Sequence, residues 1–132
     1  EINLSNFFLD TNYSKDCFSH EGIEQEYYVL EAGSVDPDLT GQHLWHAAPV
    51  LCKFIIRIQD EFKGKSVLEL GAGTGICGLV ASHFAKHVVI SDYKDVVIDL
   101  IKMNISEHSK QSEEHQVSYA KIDWANTDYE TV

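Results

Sequence analysis

A chain of 132 residues, 44% hydrophobic and 23% charged, is long enough for one packed domain and leaves little room for a second. Its formal net charge of −11 argues against a nucleic-acid surface, which needs clustered Lys and Arg; it suits a basic partner or simply a soluble acidic surface. No apolar run approaches the roughly 20 residues that span a bilayer, and the start, EINLSNFFLDTNYSKD, lacks the basic stretch and long apolar core of a secretory signal.

Residues 1–22 are polar and aperiodic and read as an irregular arm. IEQEYYVLEA, 23–32, is rich in strand formers and predicts a strand. GSVDPDLTG, 33–41, reads as a loop, because Gly33, Asp36-Pro37 and Gly41 all break regular structure. The chain thus divides into an N-terminal arm with one strand, 1–40, and the body of the domain, 41–132. Pro49 is tolerated only near a helix start, so a helix is expected from about Pro49 to Phe62. Val50, Leu51, Phe54, Ile55, Ile58 and Phe62 recur along it at helical spacing as one apolar face. Lys63-Gly64-Lys65 ends it.

The pattern then alternates. SVLEL predicts a strand, GAGTG a loop, ICGLVASHFAK a helix and HVVISD a second strand. Tyr93 to Glu107 predicts another helix, with Val96, Val97, Leu100, Ile101 and Ile105 on one face. The polar loop SKQSEEHQ and a third strand, VSYAKIDW, follow. Such alternation builds an α/β fold with a parallel sheet and right-handed crossovers.

Three cysteines, Cys17, Cys52 and Cys77, are odd in number and form no CxxC, which predicts reduced thiols in a cytosolic or nuclear protein. Cys52 and Cys77 lie among apolar neighbours and read as core residues. The N-x-S sequons at Asn3, Asn12 and Asn104 are short matches that arise by chance and carry no weight. His43/His46 and His83/His87 have metal-like spacing, but neither pair has a third ligand close in sequence, and no metal is expected.

A glycine-rich turn between a parallel strand and a helix lets backbone approach a ligand beside the positive end of the helix. Asp92, about 20 residues further on at the end of the next strand, can accept both hydroxyls of a ribose. Loop and acid together predict a ribose-bearing cofactor. Gly73-Thr74-Gly75-Ile76-Cys77-Gly78 fits the G-x-G-x-x-G of nicotinamide dinucleotide sites. Three features favour a smaller ligand: Glu69 where a dinucleotide fold puts an apolar residue, the wider G-x-G-x-G of ELGAGTG, and the long stretch of chain before this strand. Asp123-Trp124 ends the third strand. An acid beside an adenine can accept from its exocyclic amine, and an indole can wall the ring.

Together, ELGAGTG, the acid of ISDY and the later DW resemble the motifs of class I S-adenosylmethionine-dependent methyltransferases. The G-x-x-x-W-x-A-A start of GQHLWHAAPVLCKFI is similar to that of seven-β-strand protein-lysine methyltransferases (methyltransferase family 16, methyltransferase-like 21 relatives). LEAGSVDPDLTGQHLWHAA also resembles methyltransferase-like 23 proteins, which are linked to arginine methylation. The resemblance covers about residues 25–126. It implies a Rossmann-like class I methyltransferase fold, a parallel sheet flanked by helices, of which this chain would be the N-terminal part only. It implies S-adenosyl-L-methionine as cofactor, S-adenosyl-L-homocysteine as product, and methyl transfer to a protein lysine, with arginine or a small amine as other acceptors. A cytoplasmic and also nuclear location would go with it.

Residue by residue, the resemblance implies that Gly71, Gly73 and Gly75 let the loop approach the methionine part, whose amino group Glu69 would accept from. Asp92 would hold the ribose hydroxyls, Tyr93 would lie against the adenine, and Asp123 and Trp124 would border it. Trp45 would close the pocket from the N-terminal side. No catalytic residue is implied. The family's fourth core strand ends in an acid-x-x-Tyr motif, which DYETV does not supply. A sheet edge open to a partner is therefore expected. A cofactor-binding module without activity, and a nucleotide-binding oxidoreductase, are the other readings.

Overall fold

The computed structural model describes residues 13–31, 41–110 and 116–126. Two strands come first, β1 (Tyr13–His20) and β2 (Ile23–Leu30), paired antiparallel from Tyr13↔Leu30 to His20↔Ile23. Glu21 and Gly22 join them with positive φ angles of 47° and 82°, the twist that a two-residue hairpin turn requires. The expectation of an irregular arm over 1–22 is thereby corrected for 13–20. YSKDCFSH buries none of its side chains fully and offers no apolar alternation to read; its partner strand decides its conformation.

The hairpin is tied to the rest of the chain from β2. Asn104 donates to the carbonyls of Tyr28 (3.0 Å) and Thr74 (2.8 Å), so this sequon asparagine is a buried structural amide. Gln25, also buried, sets its amide oxygen 2.8 Å from His83 Nε2 and 3.1 Å from His108 Nδ1. On the outside, Lys15 bridges Glu26 (3.0 Å) and Glu107 (2.8 Å).

Helix α1 covers Ala47–Arg57, and a 3-10 turn, Gln59–Phe62, replaces the rest of the expected helix. Pro49 sits in the first turn, where its missing N–H costs no helical bond. Cys52, Ile55 and Ile56 face the core, whereas Val50, Leu51 and Phe54, expected on one apolar face with Ile55, stay exposed.

The remaining elements alternate: β3 (Ser66–Glu69), α2 (Ile76–Ser82), β4 (His87–Asp92), α3 (Asp95–Ser109) and β5 (Gln116–Lys121). The three strands form one parallel sheet in the order β3-β4-β5. α2 and α3 pack on it, and α1 packs on α2. The helix expected over 76–86 stops at Ser82, and Lys63 and Ala85 form a bridge just beyond it. α3 starts and ends two residues later than expected. Val88, Ile90, Leu79, Val80, Val97 and Ile101 fill the core. Among the described residues β3 is an edge strand, with Leu68 and Leu70 exposed beside it, an unusual position for a parallel sheet, whose faces are normally covered.

Candidate functional site

The loop from Leu70 to Gly75 links β3 to α2. Gly71, Gly73 and Gly75 take φ angles of 61°, 59° and 82°, left-handed values that side chains with a Cβ resist. β4 clamps the loop: Ala72 donates to the Ser91 carbonyl at 2.9 Å, and Gly73 donates to Asp92 Oδ2 at 3.0 Å. Asp92 Oδ1 accepts from the Tyr93 amide at 2.7 Å. Asp92 therefore does two jobs, fixing the loop and presenting a carboxylate with lone pairs to spare.

Glu69, the last residue of β3, accepts from the Gly78 amide through Oε2 at 2.8 Å. A Cβ on Gly78 would fall 2.5 Å from that oxygen and 2.6 Å from Ile90 Cγ1. This glycine lets helix, strand and carboxylate close on one another, the packing role of the third glycine in G-x-G-x-x-G. Burial pushes the Glu69 carboxyl up to about 7; the Gly78 N–H opposes the shift and the neighbouring charge of Asp92 adds to it. Sequence reading gave Gly78 no role of its own, although the spacing of that fingerprint carried the signal.

Two clefts open here. The larger, about 550 Å³, is lined by Trp45, Glu69, Gly73 and Cys77 among others. The smaller, about 400 Å³, is lined by Tyr93, Ile122, Asp123 and Trp124. Gly41, Gly71 and Asp92 line both, so Asp92 stands where they meet. The Trp124 ring lies over Gly71, its Cζ2 3.6 Å from where a Cβ would be. Gly41 was read only as loop; its carbonyl lies 3.0 Å from the corresponding point on Gly73, which packs the segment before α1 against the glycine loop.

The structure thus brings Trp45, Glu69, Gly71, Gly73, Asp92, Tyr93, Asp123 and Trp124 to the walls of two adjoining clefts. Gly75 stands behind them, its side facing Ile90 and Ile101. Trp45, Tyr93 and Trp124 are more than half exposed. Asp123 accepts from Ala125 N (3.0 Å) and Asn126 Nδ2 (2.7 Å), and these bonds, Asn126 first, hold its carboxyl below the usual range. Cys77 belongs to the core, as expected, and also lines the larger cleft. Among the described residues no three His, Cys, Asp or Glu side chains gather as a metal site; His83 contacts Gln25 and His87 opens β4.

A parallel sheet, a glycine loop leading into a helix and an acid at the end of the next strand define a Rossmann-like nucleoside-cofactor fold. Solved methyltransferases share it. The tRNA (uracil-54, C5)-methyltransferase of Pyrococcus abyssi, in complex with S-adenosyl-L-homocysteine, aligns over 89% of this chain and 26% of its own, with a TM-score of 0.57 and 11% identity. The T. thermophilus 16S rRNA N2 G1207 methyltransferase aligns over 91% and 31%, with a TM-score of 0.55 and 22% identity. The profile of the lysine methyltransferase family matches residues 25–132, and the chain belongs to that family. The protein N-lysine methyltransferase METTL21A of Xenopus tropicalis is 33% identical over 91% of this chain and 52% of its own length. EEF1A lysine methyltransferase 3 of the same species is 32% identical over 86% and 49%. The chain spans about half the length of these two relatives.

Proposed function

We propose that the protein binds S-adenosyl-L-methionine across the two clefts and takes part in methyl transfer to the side-chain amine of a protein lysine. The observation that carries this reading is the position of Asp92 where the two clefts meet, with Glu69 on one side and Tyr93 and Trp124 on the other. The cofactor has a cationic amino-acid end, a ribose and an adenine, and the site has three matching parts. Glu69 is met by one N–H and by a like-charged neighbour, and an ammonium group is the counter-charge it fits. Asp92 would accept the ribose hydroxyls, while Tyr93 and Trp124 would flank the adenine with Asp123 at its edge. Trp45 would cover the methionine end, and Gly71 and Gly73 let the backbone come close. The bound sulfonium supplies an electrophilic methyl group. The chain's part is to hold its partners in line and keep water out, and the lysine must arrive as the neutral amine.

Membership of the lysine methyltransferase family and the likeness to named lysine methyltransferases support a protein acceptor. The net charge of −11 suits a basic segment around that lysine. The free cysteines Cys17, Cys52 and Cys77 are consistent with a reducing compartment, the cytoplasm and also the nucleus. Isothermal titration with S-adenosyl-L-homocysteine tests the cofactor half: binding with a 1:1 stoichiometry is expected. A well-folded protein that binds a nicotinamide dinucleotide and not the S-adenosyl compound would overturn the reading. Transfer of a radiolabelled methyl group to lysine in protein substrates tests the acceptor half.

A further inference from the structure

Two thiols meet in the wall of the larger cleft. Cys52, fully buried in α1, points its sulfur at Cys77 in the first turn of α2, and the two Sγ atoms are 3.8 Å apart. Cys77 in turn lies 3.6 Å from the Ala48 carbonyl. The contacts form a relay in which Cys52 donates to Cys77 and Cys77 donates to the backbone. Cys77 alone of the two lines the cleft.

We propose that Cys52 and Cys77 are a redox modification site of the cleft, closing to a disulfide with an oxidant of the peroxide class. The Cys77 sulfur, reached through the open cleft, attacks one peroxide oxygen. The O–O bond breaks, one water leaves, and Cys77 becomes a sulfenic acid. The Cys52 sulfur then displaces that oxygen as a second water and the S–S bond forms. Two thiols give up two hydrogens and two electrons, and one peroxide becomes two waters.

The geometry favours this pair. A disulfide needs its sulfurs about 2.05 Å apart, and the two sulfurs already stand in contact at 3.8 Å. Contact with Cys52 and burial both push the Cys77 thiol up, so little of it is the attacking thiolate and the reaction is slow. The consequence for function rests on the proposed cofactor reading. An occupied cleft covers Cys77, so oxidation would mark the empty protein and spare the loaded one. A cross-link between α1 and α2 would also tie down the first turn of α2, where Gly78 holds Glu69.

The test uses the protein carrying Cys17→Ser, which removes the exposed third thiol. Trypsin then leaves Cys52 in fragment 16–53 and Cys77 in fragment 66–86, one thiol each. After treatment of the native protein with hydrogen peroxide, mass spectrometry is expected to show the two fragments joined and two hydrogens lighter. S-adenosyl-L-homocysteine at ten times its Kd should slow the cross-link by about tenfold. Two cysteines that remain fully alkylatable in the native protein, or a cross-link that appears only in urea, would overturn the proposal. So would an unchanged rate with the S-adenosyl compound demonstrably bound. A cross-link that forms in a protein without S-adenosyl binding supports the dithiol and sinks the cofactor reading, so the two failures are distinguishable.

Discussion

The two clefts that meet at Asp92 are built in opposite ways. The larger is shaped by backbone: glycines at positive φ, an amide bonded to Glu69, and a helix start pressed against a strand. One of its ionisable wall residues, Glu69, is held in a medium that disfavours its charge. The smaller is shaped by side chains on the surface, Tyr93 and Trp124, both more than half exposed, around a short turn that Asp123 ties together. One side is set before any ligand arrives, whereas the other gains much of its burial only when a ring lies against it. Preorganised electrostatics and late apolar burial should therefore respond differently to mutation and to pH.

Asp92 belongs to both sides, and its loss should be the most costly change. Asp92→Ala removes the acceptor of the Gly73 and Tyr93 amides together with the proposed ribose contact. Hydrogen bonds to charged groups contribute roughly 1.5–3 kcal/mol each, so calorimetry should read cofactor affinity at least about 100-fold weaker. If the affinity stays within about threefold, the two clefts do not share one ligand in the way their geometry suggests.

Gly78 separates the backbone-built side from the other. Gly78→Ala would place a methyl 2.5 Å from Glu69 Oε2 and 2.6 Å from Ile90 Cγ1, and overpacking of this kind costs about 1–3 kcal/mol. Thermal melting should show a drop of several degrees, and affinity should fall with it because Glu69 is displaced. An unchanged melting temperature would mean that the helix start can yield, and that this wall is less rigid than its contacts imply.

What could be read from the residues divides along the same line. The order of elements from β3 to β5 was legible because strand-like and helical apolar runs alternate there, although α2 stops at Ser82 and β5 at Lys121, short of where they were expected to end; Gly71, Glu69 and Asp92 were legible because few structures need glycines and acids at that spacing. β1 was not, since YSKDCFSH is a strand only by virtue of its partner. The burial of α1 was not legible for a related reason. Helical periodicity shows which side chains share a face, not whether that face meets anything, and Val50, Leu51 and Phe54 remain uncovered among the described residues. The Cys52–Cys77 contact joins residues 25 apart in sequence, and no local pattern announces it.

Glu69 offers a subtler test of the preorganised side. Its folded pKa, about 7, lies above the ordinary 4.5, so between those values the folded protein holds a proton that the unfolded chain has released. Stability from this group is fully present below about pH 4.5 and is lost as pH rises through about 7. Comparison of melting curves for the protein and Glu69→Gln should show their difference changing across that window, by a modest amount because the cleft is open to water. Cofactor affinity should run the other way, rising with pH through about 7 as the carboxylate becomes available to an ammonium group. In Glu69→Gln that rise should be absent; a rise that persists would assign the titration to another residue.

The smallest effect belongs to the exposed side. Trp124→Ala removes a ring that is 65% exposed, so little burial is lost from the folded state and the melting temperature should hold. Binding should suffer more, because the ring is covered only once the ligand is in place. Aromatic contacts contribute about 0.5–1.5 kcal/mol beyond area burial, which corresponds to affinity weaker by roughly threefold to tenfold. The two readouts must part company for the contrast between the clefts to stand. A Trp124→Ala variant that loses stability and affinity in step would show the indole to be a structural prop over Gly71, and the smaller cleft would then be as preformed as the larger.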